Sequence, residues 1–314
     1  VTPLVGPRRP DVLPGFVAQD LALQSGDVAT LVRHDTPHPG AVLWLHGYND
    51  YVFQGWLGPA LDAAGWTFCG LDQRRCGRSI RPLQVPARLW DLAEVYEEID
   101  LAIATLKQDH ERVVLLGHST GGLVATCWAD DRQRIGPLPI DGLVLNSPFF
   151  DFRLPRLLRW LVKTAVPLVA RRRPGFVVQP AGDDRYARSL LKKLGSNGEW
   201  NYNTDWKFVG GVPVEAGWCA AVRRGHRRVK AGMDLRLPIF TLHSDAQSEG
   251  PFGQEWFASD TVLGPAKMAH YTPGLGPDAR AVAIPKAMHD VFLSRPAARQ
   301  RALDELVAFL GRLP

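Results

Sequence analysis

The sequence predicts an α/β fold: a mostly parallel central sheet with helices on both faces, interrupted late in the chain by a helical insertion. Three observations carry this. Short apolar runs rich in β-branched residues alternate with stretches of helical periodicity, the pattern of a parallel sheet wrapped by helices. One run, residues 113–116, stops abruptly in Gly117-His118-Ser119-Thr120-Gly121 and leads straight into a helical stretch. The polar turns at His46, Asp72 and Ser119 each follow such a run. They therefore gather at the carboxyl ends of the strands, where open α/β sheets bind ligands.

The elements follow in order. Residues 16–23 and 28–34 alternate apolar and polar around Gln24-Ser25-Gly26-Asp27, which predicts a hairpin with both strands at a sheet edge. Residues 41–45 are a buried strand ended by His46-Gly47-Tyr48-Asn49-Asp50. A helix over 58–64 and a strand over 66–71 come next, then the loop from Asp72 to Ser79. Residues 91–108 carry Leu92, Val95, Ile99, Ala102, Ile103 and Leu106 at helical spacing, so they form an amphipathic helix. The strand before Ser119 follows, and then a buried strand over 142–147.

From residue 148 to 237 the alternation stops. Helices over 154–170, 183–194 and 215–230 are separated by the polar loop 195–211, which holds Trp200, Tyr202 and Trp206. This block reads as a helical cap covering the site. Arg153, Arg156, Arg159 and Lys163 are interleaved with its first apolar helix, and Arg171-Arg172-Arg173-Pro174 ends it. The sheet resumes with strands over 238–244 and 281–284, and a closing amphipathic helix spans 296–310. The expected organisation is thus a core over 1–147 and 238–314 with a cap over 148–237.

Composition narrows the function classes. With 46% hydrophobic and 22% charged residues in a chain of 314, one sizeable core is expected. The net charge of +5 comes mostly from clustered arginines, and it predicts no nucleic-acid partner. No apolar run approaches the length of a transmembrane helix. Residues 1–14 lack the apolar core of a signal peptide, which predicts a cytoplasmic chain; the Val at position 1 leaves a removed leader open. Cys69, Cys76, Cys127 and Cys219 show neither C-x-x-C nor metal spacing, so they read as small buried thiols, with a Cys69–Cys76 bridge left open. Neither a metal nor an organic cofactor is expected.

The chemistry centres on Ser119. Strand, G-x-S-x-G, helix is the context of a nucleophile elbow, a turn so sharp that the serine hydroxyl stands out above the sheet. Gly117 and Gly121 are required because a Cβ there would strike the neighbouring helix or strand. A serine hydroxyl needs a general base, usually a histidine held by a carboxylate. In this sheet order the partners follow as serine, acid, histidine. His289, in the loop after the last strand, is the expected base. Asp260 is the preferred acid, read as also capping the following helix, and Asp245 is the alternative. Asp290 is expected to be a local hydrogen-bond partner. Two backbone N–H groups, of Tyr48 and Thr120, would form the oxyanion hole. His46 and Gly47 would support that turn, while His118 is too close to the serine in sequence to reach it.

Taken together, Leu45-His46-Gly47-Tyr48-Asn49-Asp50, Leu71-Asp72-Gln73-Arg74-Arg75-Cys76-Gly77-Arg78-Ser79, Gly117-His118-Ser119-Thr120-Gly121-Gly122 and Met288-His289-Asp290 resemble an α/β-hydrolase. The similarity is to the monoacylglycerol lipase and lysophospholipase-like serine hydrolases, over nearly the whole chain. It implies a cofactor-independent ester hydrolase with Ser119, Asp260 and His289 as triad, a small-molecule acyl ester as substrate, and transient lipid-surface contact through the cap. Arg75 stands where the family usually has glycine. Peptidase, thioesterase, C–C hydrolase and acyltransferase chemistry use the same triad, and a hydrolase-fold binding protein without turnover is the reading from another class. Substrate identity and oligomeric state are not encoded in these motifs.

Overall fold

The computed structural model describes residues 5–313; within it the side chains of Arg156, Arg159 and Lys163, which the sequence reading places in the first cap helix, lie outside the described residues. The chain runs β1 (Arg9–Pro10), β2 (Phe16–Ala22), β3 (Val28–His34), β4 (Gly40–Leu45), α1 (Leu57–Asp62), β5 (Trp66–Asp72), α2 (Tyr96–Leu106), β6 (Arg112–His118), α3 (Thr120–Gln133) and β7 (Gly142–Asn146). Then come α4 (Arg156–Arg172), β8 (Val177–Gln179), α5 (Arg185–Leu190), β9 (Val214–Glu215) and α6 (Ala216–Ala231). The chain closes with β10 (Ile239–Ser244), α7 (Pro265–Tyr271), β11 (Ala279–Ile284) and α8 (Pro296–Leu310).

The main sheet has the order β1-β2-β3-β5-β4-β6-β7-β10-β11. From β5 to β11 all neighbours are parallel; β1, β2 and β3 are antiparallel to theirs. Successive side chains of a strand point to opposite faces. In β4, Leu43 and Leu45 join one core with α2, α3 and α7, while Val42 and Trp44 join the other with α1 and α8. The near-continuous apolar strands are therefore the consequence of two covered faces.

One expectation fails. The hairpin forms, but only β2 lies near an edge, flanked by the two-residue β1; β3 is internal and pairs with β5. Its polar positions are buried and partnered. Thr30 bonds Asp20 at 3.1 Å and Arg33 bonds Asp109 at 2.9 Å, so their polarity does not signal solvent. The four cysteines are free and buried, which removes the Cys69–Cys76 bridge. The short antiparallel pair β8–β9 was not expected. Among the described residues no helix is long and apolar enough to cross a membrane.

Candidate active site

Strand β6 delivers Ser119 to the carboxyl edge of the sheet in a backbone conformation that L-residues seldom adopt, φ +52° and ψ −117°. Such a conformation costs on the order of 1–3 kcal/mol and survives only where the surroundings over-determine it. Here they do. The Ser119 N–H donates to Asn146 O at 3.0 Å, and Ser119 O accepts from the N–H of Phe149 at 2.9 Å and of Leu123 at 3.2 Å. The glycines permit the close approach. A Cβ on Gly121 would lie 2.3 Å from Leu45 O, and one on Gly117 would lie 2.7 Å from Gly121 O. The first turn of α3 thus seats directly on the end of β4.

The loop after β11 carries His289, which is almost fully buried. Its Nε2 lies 3.0 Å from Ser119 Oγ and its Nδ1 lies 2.9 Å from Asp260 Oδ2. With Nδ1–H donating to the carboxylate, Nε2 presents a lone pair to the serine hydroxyl. The loop is pinned by Asp290, whose Oδ1 accepts from Asn146 Nδ2 at 2.7 Å and from Phe292 N–H at 3.0 Å. Asn146 Oδ1 accepts from Val291 N–H at 3.2 Å. One residue at the end of β7 therefore links the turn holding the serine, through its backbone carbonyl, to the loop holding the histidine, through its side chain. Sequence reading missed Asn146. A polar residue closing the run Gly142-Leu143-Val144-Leu145 was the signal available.

Asp260 is fully buried, and its Oδ1 accepts from the N–H groups of Val262 and Leu263 at 2.8 and 2.7 Å. It does not cap the following helix as expected. Helix α7 starts later, with Gly264 at its N-cap and proline at its first position, which has no N–H to offer. Asp245 is exposed and its Oδ1 accepts from Lys286 N–H at 3.0 Å, so it ties the end of β10 to the turn after β11. The structure brings Asp260, not Asp245, to His289.

The turn after β4 faces Ser119. Gln73 N–H donates to His46 Nε2 at 3.1 Å, so the ring proton sits on Nδ1, which donates to Gly47 O at 2.8 Å. In a trans peptide the C=O and the following N–H point in opposite directions. Holding Gly47 O therefore aims the Tyr48 N–H the other way. The Thr120 N–H is the first of α3 and lacks a carbonyl one turn below it. A cavity of about 20 Å³, lined by His46, Gly47, Tyr48, Thr120 and Trp218, lies beside these groups.

His118 is buried, stacked on Trp44 with ring centroids 6.0 Å apart and 5.0 Å from the His289 ring. Burial, then the neighbouring His289, holds it well below the usual histidine range, so it is neutral. Two residues of the block 148–237 contact the site: Tyr186 packs edge-on against His289 at 6.0 Å and Trp218 lies 4.6 Å from the Tyr48 ring. Arg75 occupies the left-handed region at φ +63°, which accounts for glycine being usual there; its guanidinium holds Asp27 at 2.7 Å. Among the described residues no cluster of His, Cys, Asp or Glu has the arrangement to hold a metal ion.

Comparison with known proteins gives consistent relatives. A family model described as serine aminopeptidase, S33, matches residues 36–293. A pimeloyl-[acyl-carrier protein] methyl ester esterase of Pectobacterium atrosepticum is 28% identical over 219 residues, 67% of this chain and 74% of that protein. A monoacylglycerol lipase of Paleococcus ferrophilus superposes with a TM-score of 0.65 at 20% identity, covering 89% of this chain and 97% of that one. A soluble variant of monoglyceride lipase from Saccharomyces cerevisiae, solved with a substrate analogue, gives 0.66 at 14% identity, covering 99% and 97%.

Proposed function

This chain belongs to the serine aminopeptidase S33 family of α/β-hydrolases and is a serine hydrolase, and from that premise we propose that it cleaves carboxylic esters of acyl groups through an acyl-enzyme, with Ser119, His289 and Asp260 as its triad. The continuous chain of hydrogen bonds from Asp260 through His289 to Ser119, at 2.9 and 3.0 Å, is the observation that carries the reading. His289 takes the hydroxyl proton as Ser119 Oγ attacks the ester carbonyl. The carbonyl electron pair moves to oxygen, and the N–H groups of Tyr48 and Thr120 stabilise it. Collapse expels the alcohol, protonated by His289. Water, activated by the same imidazole, then releases the acid. Asp260 orients the ring and stabilises its charged form without taking the proton. His46 and Gly47 aim the Tyr48 donor, and Gly121 lets α3 approach.

The block 148–237 acts in this reading as a cap. The relatives named for methyl ester and monoacylglycerol substrates support an acyl ester over other bonds. Leu157, Leu158, Trp160 and Leu168 of α4 are all exposed, and Arg171 to Arg173 follow them. An exposed apolar helix with basic residues beside it supports transient contact with a lipid surface.

The family description favours one second reading, an aminopeptidase. That activity needs an anionic partner for the substrate's free amine. The carboxylate of Asp50, near the site, is already occupied by Lys207 at 2.7 Å. Rates on p-nitrophenyl butyrate and on an aminoacyl p-nitroanilide, for wild type and Ser119→Ala, decide between them. Ester turnover that vanishes in the variant is expected; ester turnover that survives it, or faster anilide cleavage, overturns the proposal.

A further inference from the structure

The turn that carries Tyr48 is fastened, residue by residue, to a loop of the block 148–237. Tyr48 Oη donates to Pro213 O at 2.9 Å. Asn49 clamps the Phe208 backbone from both sides: its amide donates to Phe208 O at 2.9 Å and its Oδ1 accepts from Phe208 N–H at 3.1 Å. Asp50 Oδ1 accepts from Lys207 Nζ at 2.7 Å. Tyr51 Oη accepts from Asn203 N–H at 2.8 Å. Four consecutive residues thus bond one loop more than a hundred and fifty positions away in sequence.

The ion pair inside this seam is buried. The Lys207 and Asp50 side chains are only 6% and 2% exposed, although Lys207 comes from a polar loop that would ordinarily be solvated. The ammonium faces the rings of Phe53, Tyr186 and Tyr202 at 5.3, 5.8 and 5.8 Å, distances at which ring quadrupoles attract a cation. Tyr186 also touches His289. The other oxygen of Asp50 lies 3.8 Å from His118 Nδ1, but that imidazole is neutral and supplies no counter-charge. Asn49 itself sits at φ +52°, a conformation a clamped asparagine tolerates and a free turn would relax.

We propose that Lys207 and the loop around it are positioning elements for the Tyr48 N–H, so that the docked cap sets the oxyanion donor. The inference rests on the reading of Tyr48 as that donor. The peptide carrying this N–H is fixed on one side by His46 and on the other by the seam just described. Releasing the seam lets the turn relax and moves a donor whose worth depends on its aim. Loss of one such donor costs on the order of 10²–10³ in kcat, so a displaced one is expected to cost about tenfold or more. Substrate binding does not use the oxyanion and should be little changed.

Two variants cut the seam differently. Lys207→Met removes the cation at similar length; Asn49→Gly keeps the left-handed backbone and removes the clamp without leaving a buried charge. Lys192→Met, an exposed lysine of the same block, is the control. Each is assayed on p-nitrophenyl butyrate for kcat and KM, and for affinity to an alkyl trifluoromethyl ketone, whose adduct with Ser119 bears the tetrahedral oxyanion. Thermal melts report folding. The expected result is a loss of kcat of about tenfold or more in both seam variants, KM within about twofold, ketone affinity falling in step with kcat/KM, and no change in the control. Wild-type kcat and ketone affinity in folded Asn49→Gly overturns the proposal even if Lys207→Met does not fold, as does a loss confined to KM. Wild-type protein without Ser119-dependent ester turnover would instead sink the functional reading beneath it.

Discussion

Replacing the Asp260 carboxylate by an amide changes one atom and should change the tautomer of His289. Asp260 Oδ1 is held by two N–H groups, of Val262 and Leu263, at 2.8 and 2.7 Å. In Asp260→Asn the amide oxygen must stay on those donors, because an NH₂ group there would face two N–H groups. The amide nitrogen then points at His289 Nδ1, where Oδ2 accepts at 2.9 Å in the native protein. A donor facing Nδ1 makes that nitrogen the acceptor and puts the ring proton on Nε2, toward Ser119. The imidazole then cannot accept the serine proton. Such a swap in a triad lowers kcat by about 10⁴-fold, roughly 5.4 kcal/mol of barrier. The variant should still melt cooperatively, since both anchoring hydrogen bonds remain. Asp245→Asn, at an exposed site whose carboxylate accepts from Lys286 N–H, should stay within about twofold of wild type. Initial rates on p-nitrophenyl butyrate at pH 7.5 give both numbers. Asp260→Asn within tenfold of wild type, or an equal loss in Asp245→Asn, would refute the assignment of the acid.

Acid should destabilise the fold through two histidines that are neutral when buried. Burial holds His118 well below its usual range and His226 down at about 3, with His226 Nε2 2.8 Å from Phe149 O. Their folded affinities for protons lie below the unfolded ones, so stability is fully present above about pH 6.5 and falls as pH drops, by up to about 1.4 kcal/mol per pH unit for each. Urea midpoints should decline steadily from pH 7 to 5; a flat profile would contradict this. Trp160→Glu, at an exposed position of α4, should weaken cosedimentation with anionic phospholipid vesicles while leaving p-nitrophenyl butyrate kinetics intact. Unchanged sedimentation would remove the lipid-contact proposal.

The parts legible in the sequence are those whose physics is local. Apolar runs that stop in a glycine or polar turn announced β4, β6 and β7, and Gly117 and Gly121 announced the close packing of α3 on β4. The order of serine, acid and histidine along the chain pointed to Ser119, His289 and an acid at Asp245 or Asp260, of which Asp260 was preferred. What stayed hidden depends on partners distant in sequence. The polar positions of β3 looked solvated because Asp20 and Asp109, which satisfy Thr30 and Arg33, lie elsewhere in the chain. Lys207 read as one charge in a polar loop, since nothing local reveals that Asp50 waits for it. Asp260 read as a helix cap because its Asp-Thr-Val-Leu context suits one. Its Oδ1 turns on its own neighbours instead, freeing Oδ2 for the histidine.

The central claim is that Ser119 becomes covalently bonded to substrate carbon, with His289 as its base. Incubation with an alkyl fluorophosphonate, followed by intact mass and peptide mapping, tests this most directly. The account predicts one phosphonate per chain, located on Ser119, absent from Ser119→Ala and formed much more slowly in His289→Ala. Folded wild-type protein that takes no label, or carries it on another residue, would contradict it.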